Sequence, residues 1–304
     1  MIMDKTVVSC SDVSKHYGDI EALNNINLEI SSGEVFGVIG PDGAGKTSLF
    51  RLVASLLIPD SGNISVLGYD TVKDYREIRQ KLGYMPGRFS LYPDLSVEEN
   101  LAFYASVFRT SIKENYHLIE EVYGQIEPFR KRRAGKLSGG MKQKLALSCA
   151  LIHSPEILIL DEPTTGVDAV SRREFWEMLS GLKNKGMTIL VSTPYMDEAK
   201  RCDRIALFQD GSILGVDTPE MVISKLNVNL YAIRSNQRHE ILQVLRSFDS
   251  VHQAYQAGQL VHFTQVKSGT AAIKQHLEDE GFRDFEILEV EPDIEDCFIN
   301  MMMK

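Results

Sequence analysis

The sequence predicts an α/β domain followed by a small α+β module, and three observations lead to this fold class. Short apolar runs rich in β-branched residues alternate with helical patterns up to about Leu226, as in a parallel sheet flanked by helices. One such run, Val35 to Ile39, leads directly into a glycine-rich turn and a helix. From Val228 the predicted order becomes strand, helix, strand, strand, helix, strand, which is typical of a ferredoxin-like module.

The glycine-rich turn, GPDGAGKTS, has the spacing of a phosphate-binding loop. Its glycines let several backbone N–H groups approach phosphate oxygens closely. Lys46 can reach the outer phosphates, Thr47 can offer a hydroxyl to Mg²⁺, and a helix starting near Gly45 directs the positive end of its dipole at the anion. The predicted nucleotide contacts in this loop are Gly40, Pro41, Asp42, Gly43, Ala44, Gly45, Lys46, Thr47 and Ser48.

Two strands are predicted before this loop, at Val7 to Val13 and Ile26 to Ile30. Tyr17 falls in the turn after the first of them. Its ring can stack on a nucleotide base, while the alternative is a tyrosine that only packs against its neighbours. Later strands of the domain are predicted at Asn63 to Leu67, Leu82 to Met85, Ile157 to Leu160, Thr188 to Ser192, Arg204 to Phe208 and Ser212 to Val216.

A helical insert is predicted at about residues 87–152. Its helices are Val97 to Phe108, Ile112 to Ile126, and a third that follows Ser138 and runs to about Ile152. Ser138, Gly139 and Gly140 place a hydroxyl and exposed N–H groups at the start of the third helix, which predicts a second anion site. The alternative is a simple N-cap followed by flexible glycines.

The apolar strand Ile157 to Leu160 ends in two carboxylates, Asp161 and Glu162. A carboxylate at the tip of such a strand suits a Mg²⁺ partner, and Glu162 can polarise a water for attack on a γ-phosphate. Two solvated acids are the alternative interpretation. Because the same chain contains a phosphate-binding loop, we favour the functional one. Asp168 then opens the next predicted helix, which carries Trp176.

The C-terminal module is predicted from its own strands and amphipathic helices. Its elements are Val228 to Arg234, Arg238 to Phe248, Val251 to Tyr255, Leu260 to Thr264, Ala271 to Glu280 and Phe285 to Val290, with a terminal helix from Ile294 to Met303. We therefore place the domain boundary between residues 227 and 228.

The amino-acid composition argues against several classes of function. The formal net charge of −9 argues against a nucleic-acid partner, since such proteins carry a basic face. The one tight basic cluster, residues 131–133, is interpreted as a solvated loop. The four cysteines are scattered and no signal-peptide pattern precedes them, so we expect reduced thiols in a cytosolic protein. No apolar run approaches the roughly 18 residues of a membrane-spanning helix, so any membrane role is expected to be peripheral.

Together, four segments resemble the ATP-binding subunits of ABC transporters. They are GPDGAGKT at Gly40, LSGGM at Leu137, LILDEPTTGVD at Leu158 and STPYMDEA at Ser192. The resemblance covers residues 4–226 and implies a P-loop nucleotide-binding domain of the ABC type, in residues 1–227, with a helical subdomain. Residues 228–304 would form an accessory domain. The segment LYPDLSVEENL at Leu91 resembles the region where such subunits meet their membrane partner.

The resemblance implies a role for each matching position, with ATP and Mg²⁺ as the bound species. Tyr17 matches the aromatic residue that stacks on adenine, Asp161 the carboxylate associated with Mg²⁺, and Glu162 the catalytic glutamate. Lys46 and Thr47 match the phosphate and Mg²⁺ contacts. A second ATP-binding domain is also implied, since Ser138, Gly139 and Gly140 would contact the γ-phosphate held by the opposite subunit, with Asp168 at the seam.

Two positions depart from the family pattern. The glutamine that commonly follows Tyr-x-Pro is Gly87 here, and the switch histidine that usually follows Ser-Thr is Pro194. Neither residue can place water or sense the γ-phosphate through a polar side chain, so we expect slow hydrolysis at this site. Exporter-type members of the family sometimes carry one such half, and they often have a C-terminal module ending much like IEDCFI at Ile294.

The predicted function is that of the ATP-hydrolysing subunit of an exporter. It would act through a separate integral membrane permease, as a cytoplasmic protein bound peripherally to the inner face of the membrane. The alternative is a nucleotide-gated regulatory half of a heterodimer that hydrolyses little ATP. A soluble family member acting on ribosomes or DNA is a third hypothesis, which the acidic charge and the absence of a long coiled-coil insert disfavour.

Overall fold

Three β-sheets organise the chain in the computed structural model, which describes residues 5–226, 228–265 and 269–302. The chain divides into two units between Pro219 and Glu220. The predicted boundary at 227/228 falls on a residue outside the described ranges and stays a prediction. Among the described residues, every helix is too short or too polar to cross a bilayer. The four cysteines are buried and unpaired.

The first unit alternates strands and helices. Its strands are β1 (Thr6–Tyr17), β2 (Ile20–Ser31), β3 (Val35–Ile39), β4 (Ser61–Val66), β5 (Tyr69–Asp70), β6 (Leu82–Met85), β7 (Ile157–Asp161), β8 (Thr188–Thr193), β9 (Arg204–Gln209) and β10 (Ser212–Asp217). Its helices are α1 (Lys46–Val53), α2 (Tyr75–Lys81), α3 (Val97–Val107), α4 (Ile112–Tyr123), α5 (Gly139–Leu151) and α6 (Ala169–Asn184), with 3₁₀ turns at Glu127–Phe129, Ala134–Lys136 and Met196–Arg201.

The central sheet has the strand order β10-β9-β3-β8-β7-β6. All neighbouring pairs are parallel except the β9–β10 hairpin. Every residue of β3, β7 and β8 is buried, which explains why these segments are nearly continuous apolar runs. Because the strands are parallel, the carboxyl ends of β3, β7 and β8 lie at one edge of the sheet, where loops can assemble a site.

A second, antiparallel sheet has the order β2-β1-β4-β5. Its first two strands are much longer than predicted, and Tyr17 is the last residue of β1, not part of the turn. The prediction was wrong there because Ser14, Lys15 and His16 are too polar to suggest a strand. Lys15 and His16 instead pair with β2 in irregular register, and Ser14 pairs with Ser61 of β4, so backbone hydrogen bonding extends the strand beyond its apolar part.

The helical insert contains α3, α4 and α5. Two capping boxes start its first two helices, Ser96 with Glu99 and Ser111 with Glu114. The helix α4 ends at Tyr123, three residues before the predicted end. Its three helices bury Leu101, Ile119 and Leu145 respectively.

The second unit is a four-stranded sheet with helices on both faces. Its elements are α7 (Pro219–Ser224), β11 (Asn229–Ser235), α8 (Arg238–Arg246), β12 (Val251–Ala257), β13 (Leu260–Gln265), α9 (Ala271–Asp279), β14 (Phe285–Glu289) and α10 (Ile294–Met302). The sheet order is β12-β13-β11-β14, which is the ferredoxin-like arrangement predicted for this module. Its apolar core includes Ile241 and Leu245 of α8, Ile273 of α9, and Phe263 of β13.

A buried polar network joins α10 to the opposite face of this sheet. His262 lies between the core residues Val261 and Phe263, so its side chain is on the other face. Asp296 Oδ1 accepts a hydrogen bond from Tyr255 Oη at 2.6 Å and lies 2.8 Å from His262 Nδ1. Burial acts to raise the pKa of the Asp296 carboxyl, but hydrogen bonds from His262 and Tyr255 outweigh it, and the pKa is lowered.

We predict that Asp296→Asn destabilises the second unit by about 1 to 3 kcal/mol near neutral pH, because it removes a hydrogen-bonded buried charge. Because the pKa of Asp296 is lowered in the folded protein, its ionised carboxylate stabilises the fold at pH values above the ordinary carboxyl pKa. This stabilisation is lost as the pH falls through the folded-state pKa. The difference between the two proteins should therefore shrink in acid. Hydrogen exchange of the β12 and β13 amides measures the stability of the second unit in each protein. Asp279→Asn is the control, because the Asp279 carboxylate is exposed and, within the described residues, its one hydrogen bond comes from Gln275. Equal effects of the two changes would contradict the prediction.

We also predict that a chain ending at Leu226 folds and binds ATP. The large unit keeps its central sheet and the cluster around Phe36, Phe50 and Phe208. Circular dichroism and ATP titration of the shortened chain test this. An insoluble or unfolded product would show that the boundary is misplaced.

Candidate functional site

The phosphate-binding loop connects β3 to α1 at the carboxyl edge of the central sheet. Gly45 precedes the helix with a φ of 101°, and a Cβ on it would lie 2.4 Å from Ala22 O. Only glycine fits this position, because both the left-handed backbone and the close approach to β2 exclude a side chain. The loop is also tied to the β9–β10 hairpin, since Gly211 N donates to Ala44 O at 3.1 Å. The strands thus hold the start of α1 in place.

Lys46 is the first residue of α1 and is 3% exposed. Its ammonium group donates hydrogen bonds to Gly40 O at 2.7 Å and Pro41 O at 2.8 Å. It also lies 3.2 Å from Glu162 Oε1. A buried charge is stable only when it is paired and hydrogen-bonded, and these three oxygens meet that need. The structure therefore joins the two predicted catalytic residues in one ion pair.

Asp161 ends β7 and is 3% exposed. Its Oδ1 accepts hydrogen bonds from Thr47 Oγ1 at 3.1 Å and from Ser192 Oγ at 2.7 Å. In the described part of the chain no hydrogen bond is directed at Oδ2. A carboxylate oxygen beside a hydroxyl is the ligand chemistry that Mg²⁺ prefers when phosphates and waters complete its shell. The two predicted metal ligands thus lie together and fit the ion.

Glu162 has an unusual backbone that directs its side chain. Its φ is 47°, which is uncommon for a residue other than glycine. Its N–H is held by Ser192, with Oγ at 2.9 Å and O at 3.1 Å. The side chain is about one-fifth exposed. The next strand over therefore fixes Glu162 in a strained conformation in which the carboxylate meets Lys46 and still reaches solvent.

An open cavity of about 870 Å³ lies over the phosphate loop. Its lining includes residues 43–48, Glu162, Gly211 and Tyr17. The Tyr17 ring is 43% exposed, and its hydroxyl oxygen accepts from Ser48 Oγ at 3.4 Å. A large, exposed ring at the rim of the cavity over the phosphate loop suits stacking on a base, which stays a prediction. Of the remaining predicted loop contacts, Gly40 and Pro41 face Lys46, and Asp42 is exposed.

Ser138 caps α5, and its Oγ accepts from Met141 N at 3.4 Å. Ser138 and Gly139 are exposed, whereas Gly140 is buried. A Cβ on Gly140 would lie 2.7 Å from Ser171 Oγ, so only glycine allows α5 and α6 to approach this closely. Within the described residues, none of these three lines the cavity over the phosphate loop. The two predicted anion sites of one chain are therefore separate.

Asp168 is exposed and caps α6. Its Oδ1 accepts from Ser171 N at 3.0 Å and Val170 N at 3.1 Å. The bond from Ser171 N–H, with the others, lowers the pKa of the Asp168 carboxyl. The structure thus shows a helix cap, and the predicted position at a subunit seam remains untested.

Both departures from the family pattern lie beside the carboxylates. A Cβ on Gly87 would be 3.0 Å from Asp161 O and 3.7 Å from Glu162 Cβ. Pro194 follows β8 directly and comes two residues after Ser192, whose hydroxyl holds Asp161. Two polar side chains are thus missing at the edge of the sheet where Glu162 lies.

Sequence reasoning missed three residues that position this site. Ser192 bridges Asp161 and Glu162, because β7 and β8 pair in parallel with Asp161 opposite Ser192. Glu198 is 3% exposed and accepts from Thr164 Oγ1 at 2.8 Å. Ser171 sets the contact with Gly140. Only the polar Ser192 at the end of an apolar strand carried a signal in the sequence.

The chain is similar in sequence to known ATP-binding proteins. A family model described as ABC transporter matches residues 23–165. The chain is 38% identical over 307 residues to the probable multidrug ABC transporter ATP-binding protein YbhF of Escherichia coli (strain K12). The aligned region covers 99% of this chain and 53% of that protein. It thus spans about half the length of YbhF. It is 32% identical over 303 residues to the Nod factor export ATP-binding protein I of Rhizobium sp. (strain N33), covering 98% of each chain.

Solved structures with a similar fold are also ATP-binding subunits or cassettes. An ATP-binding subunit of an ABC transporter superposes with a TM-score of 0.66 and 28% identity over 72% of this chain and 93% of that one. A dimeric ATP-binding cassette in a post-hydrolysis state with ADP and Pi superposes with a TM-score of 0.63 and 27% identity. The match covers 69% of this chain and 98% of that one.

We predict that Lys46→Ala abolishes ATP binding or turnover, because it removes the full positive charge that the loop holds for the outer phosphates. Equilibrium binding of a fluorescent ATP analogue and phosphate release measure the two effects. Lys185→Ala, which removes an exposed lysine paired with Glu121 at 2.7 Å, is the matched control. Unchanged affinity and turnover in the Lys46 variant would refute the assignment.

Proposed function

This chain belongs to the ATP-binding proteins of ABC transporters, and we propose that it is the subunit that binds and hydrolyses ATP to power an exporter through a separate membrane permease. The predicted family is confirmed by the relatives and the shared fold. The observation that carries the activity is the cluster of Lys46, Glu162 and Asp161 at one sheet edge. Export is favoured because the similar proteins are named for multidrug or Nod factor export.

The proposed chemistry assigns one task to each residue of the cluster. Lys46, aided by the dipole of α1, binds the β and γ phosphates. Thr47 and Asp161 would hold Mg²⁺, which when bound neutralises phosphate charge. Glu162 accepts a hydrogen bond from the attacking water and orients it toward the γ-phosphate. When ATP enters, Lys46 can exchange its contact with Glu162 for a phosphate oxygen and so release the carboxylate for this task.

We propose that a second ATP-binding domain completes the site. Ser138 and Gly139 are exposed at the start of α5, yet they do not line the phosphate cavity of the chain that carries them. A helix start whose serine hydroxyl can still donate a hydrogen bond suits a phosphate brought by another subunit. Two domains placed face to face would each offer this group to the other's ATP, with Asp168 at the seam. The dimeric cassette among the similar structures supports this arrangement.

The permease is proposed to dock at the helical insert. A largely apolar cavity of about 710 Å³, open to solvent, is lined by residues of β6, α3 and α5, including Met85, Leu91 and Tyr104. Phe89 and Tyr92 nearby are 38% and 47% exposed. Exposed aromatic groups around an apolar cavity suit a protein partner. The segment at Leu91 is also the one that resembles the membrane-partner region of the family.

Gly87 and Pro194 favour a second candidate function. They leave Glu162 without two neighbours that normally position water and sense the γ-phosphate. Misplacement of this kind can slow a reaction on the order of 10²-fold. The alternative is a regulatory half that gates a heterodimer by binding ATP and leaves most hydrolysis to its partner.

We predict weak ATPase activity for the purified chain, raised by a partner domain that has its own histidine and glutamine. Glu162→Gln in this chain should lower the activity of the pair only modestly, whereas the same change in the partner should nearly abolish it. Pro194→His should raise the activity of the chain alone, and Pro194→Ala, which loses the ring without gaining an imidazole, should not. Full activity of the chain alone, eliminated by Glu162→Gln, would instead establish a plain homodimeric ATPase.

Purification from membranes tests the proposed partner. We expect an integral membrane protein without its own ATP-binding domain to copurify with the tagged chain, because the apolar cavity needs a permanent occupant. Mass spectrometry identifies it. Copurification with ribosomes or DNA, and with no membrane protein, would contradict the exporter.

A further inference from the structure

An exposed basic loop, residues 128–136 with the sequence PFRKRRAGK, has no role in the proposed ATP site. It carries five cations and no acidic residue. All five side chains are exposed. Because the whole chain has a net charge of −9, the remainder is more negative still. Five cations thus lie close together on one exposed loop of a protein with a net negative charge, and they would attract an anionic partner to this loop.

The basic loop is held firmly by the segment that precedes α3 and by the first two residues of that helix. Glu98 N and Val97 N donate to Arg130 O and Arg132 O, each at 3.0 Å. In the other direction, Ala134 N donates to Leu95 O at 2.8 Å. Ala134 is fully buried. The backbone is therefore fixed while the cations point outward, so binding a partner would require little further ordering.

Most of this charge is not neutralised within the protein. Arg130 lies 4.0 Å from Glu98, and both side chains are about half exposed. Among the acids near the loop, Glu99 is engaged in the capping box with Ser96, and Glu127 accepts a hydrogen bond from Tyr116 Oη at 2.6 Å. In the described ranges, Lys131, Arg132, Arg133 and Lys136 form no ion pair. Four cations are thus available to an external anion.

Aromatic side chains accompany these cations. Phe129 is 37% exposed, and the Arg132 guanidinium stacks 4.5 Å from its ring centre. On the segment that holds the loop, Tyr92 is 47% exposed and packs edge-on against Phe103 at 5.0 Å. Basic groups interleaved with half-exposed rings match the boundary between lipid headgroups and acyl chains.

We propose that the basic loop binds the anionic lipid headgroups of the membrane that surrounds the permease. This rests on the proposed function for the presence of a membrane partner. A flat anionic surface is favoured over nucleic acid because this loop is the one tight basic cluster in the sequence, whereas the rest of the protein has a net negative charge and would repel a long polyanion. Each cation near such a surface strengthens binding about fivefold, so four unpaired cations orient the subunit without anchoring it alone. The permease supplies the second attachment.

Flotation of the full chain with lipid vesicles tests the proposal. The vesicles are pure phosphatidylcholine or phosphatidylcholine mixed with phosphatidylglycerol, at low salt. We expect binding only to the anionic vesicles, and release as salt is raised. The variant with Lys131→Gln, Arg132→Gln, Arg133→Gln and Lys136→Gln should lose roughly 600-fold in binding, since four factors of about fivefold multiply. Its ATP binding should not change.

A control variant removes the same number of charges elsewhere, through Lys73→Gln, Arg173→Gln, Lys185→Gln and Arg234→Gln, and should bind vesicles as the parent does. Exchanging lysine and arginine within the loop should also preserve binding, which separates charge from folding defects. Equal binding to both vesicle types, equal loss in both neutralised variants, or binding to RNA but not to vesicles would overturn the proposal. Because the vesicles hold no permease, failure here with intact ATP binding leaves the proposed function standing.

Discussion

The buried ammonium group of Lys46 is the constraint on which the rest of the site depends. A charge that is 3% exposed must be met by oxygens, and two of them are backbone carbonyls of the phosphate loop itself. The loop therefore curls around its own lysine. The third oxygen belongs to Glu162, which lies more than 100 residues further along the chain. One ion pair thus ties the loop after β3 to the loop after β7.

The parallel sheet makes that pairing possible. Strands β7 and β8 lie in register with Asp161 opposite Ser192, so one hydroxyl can hold Asp161 and the backbone of Glu162 together. The positive φ of Glu162 is a strained feature that this contact stabilises. Gly87 and Pro194 lie at the same edge. The site is thus well ordered around the carboxylates and lacks side chains where water and the γ-phosphate would be positioned.

The helical insert carries the features that only partners complete. The exposed start of α5 and the basic loop belong to residues 87–152, and the apolar cavity lies where α3 and α5 meet β6. The central sheet holds the residues proposed for chemistry. In the proposed assembly, the insert would meet the second domain, the permease and the lipid surface, whereas α1 and the central sheet hold Lys46 and Asp161.

The sequence by itself determined most of the fold and the main members of the site. The buried parallel strands, the phosphate loop and the order of the C-terminal module follow from local patterns, since apolar runs, glycine spacing and helix periodicity act over a few residues. Local sequence patterns did not predict the structure where it depends on pairing between distant segments. The polar end of β1 became a strand because β2 pairs with it, and Tyr17 moved from the turn to the strand end. The bridging role of Ser192 and the Lys46–Glu162 pair were decided only by tertiary structure, because hydrogen bonds between neighbouring strands depend on register, which no single segment encodes.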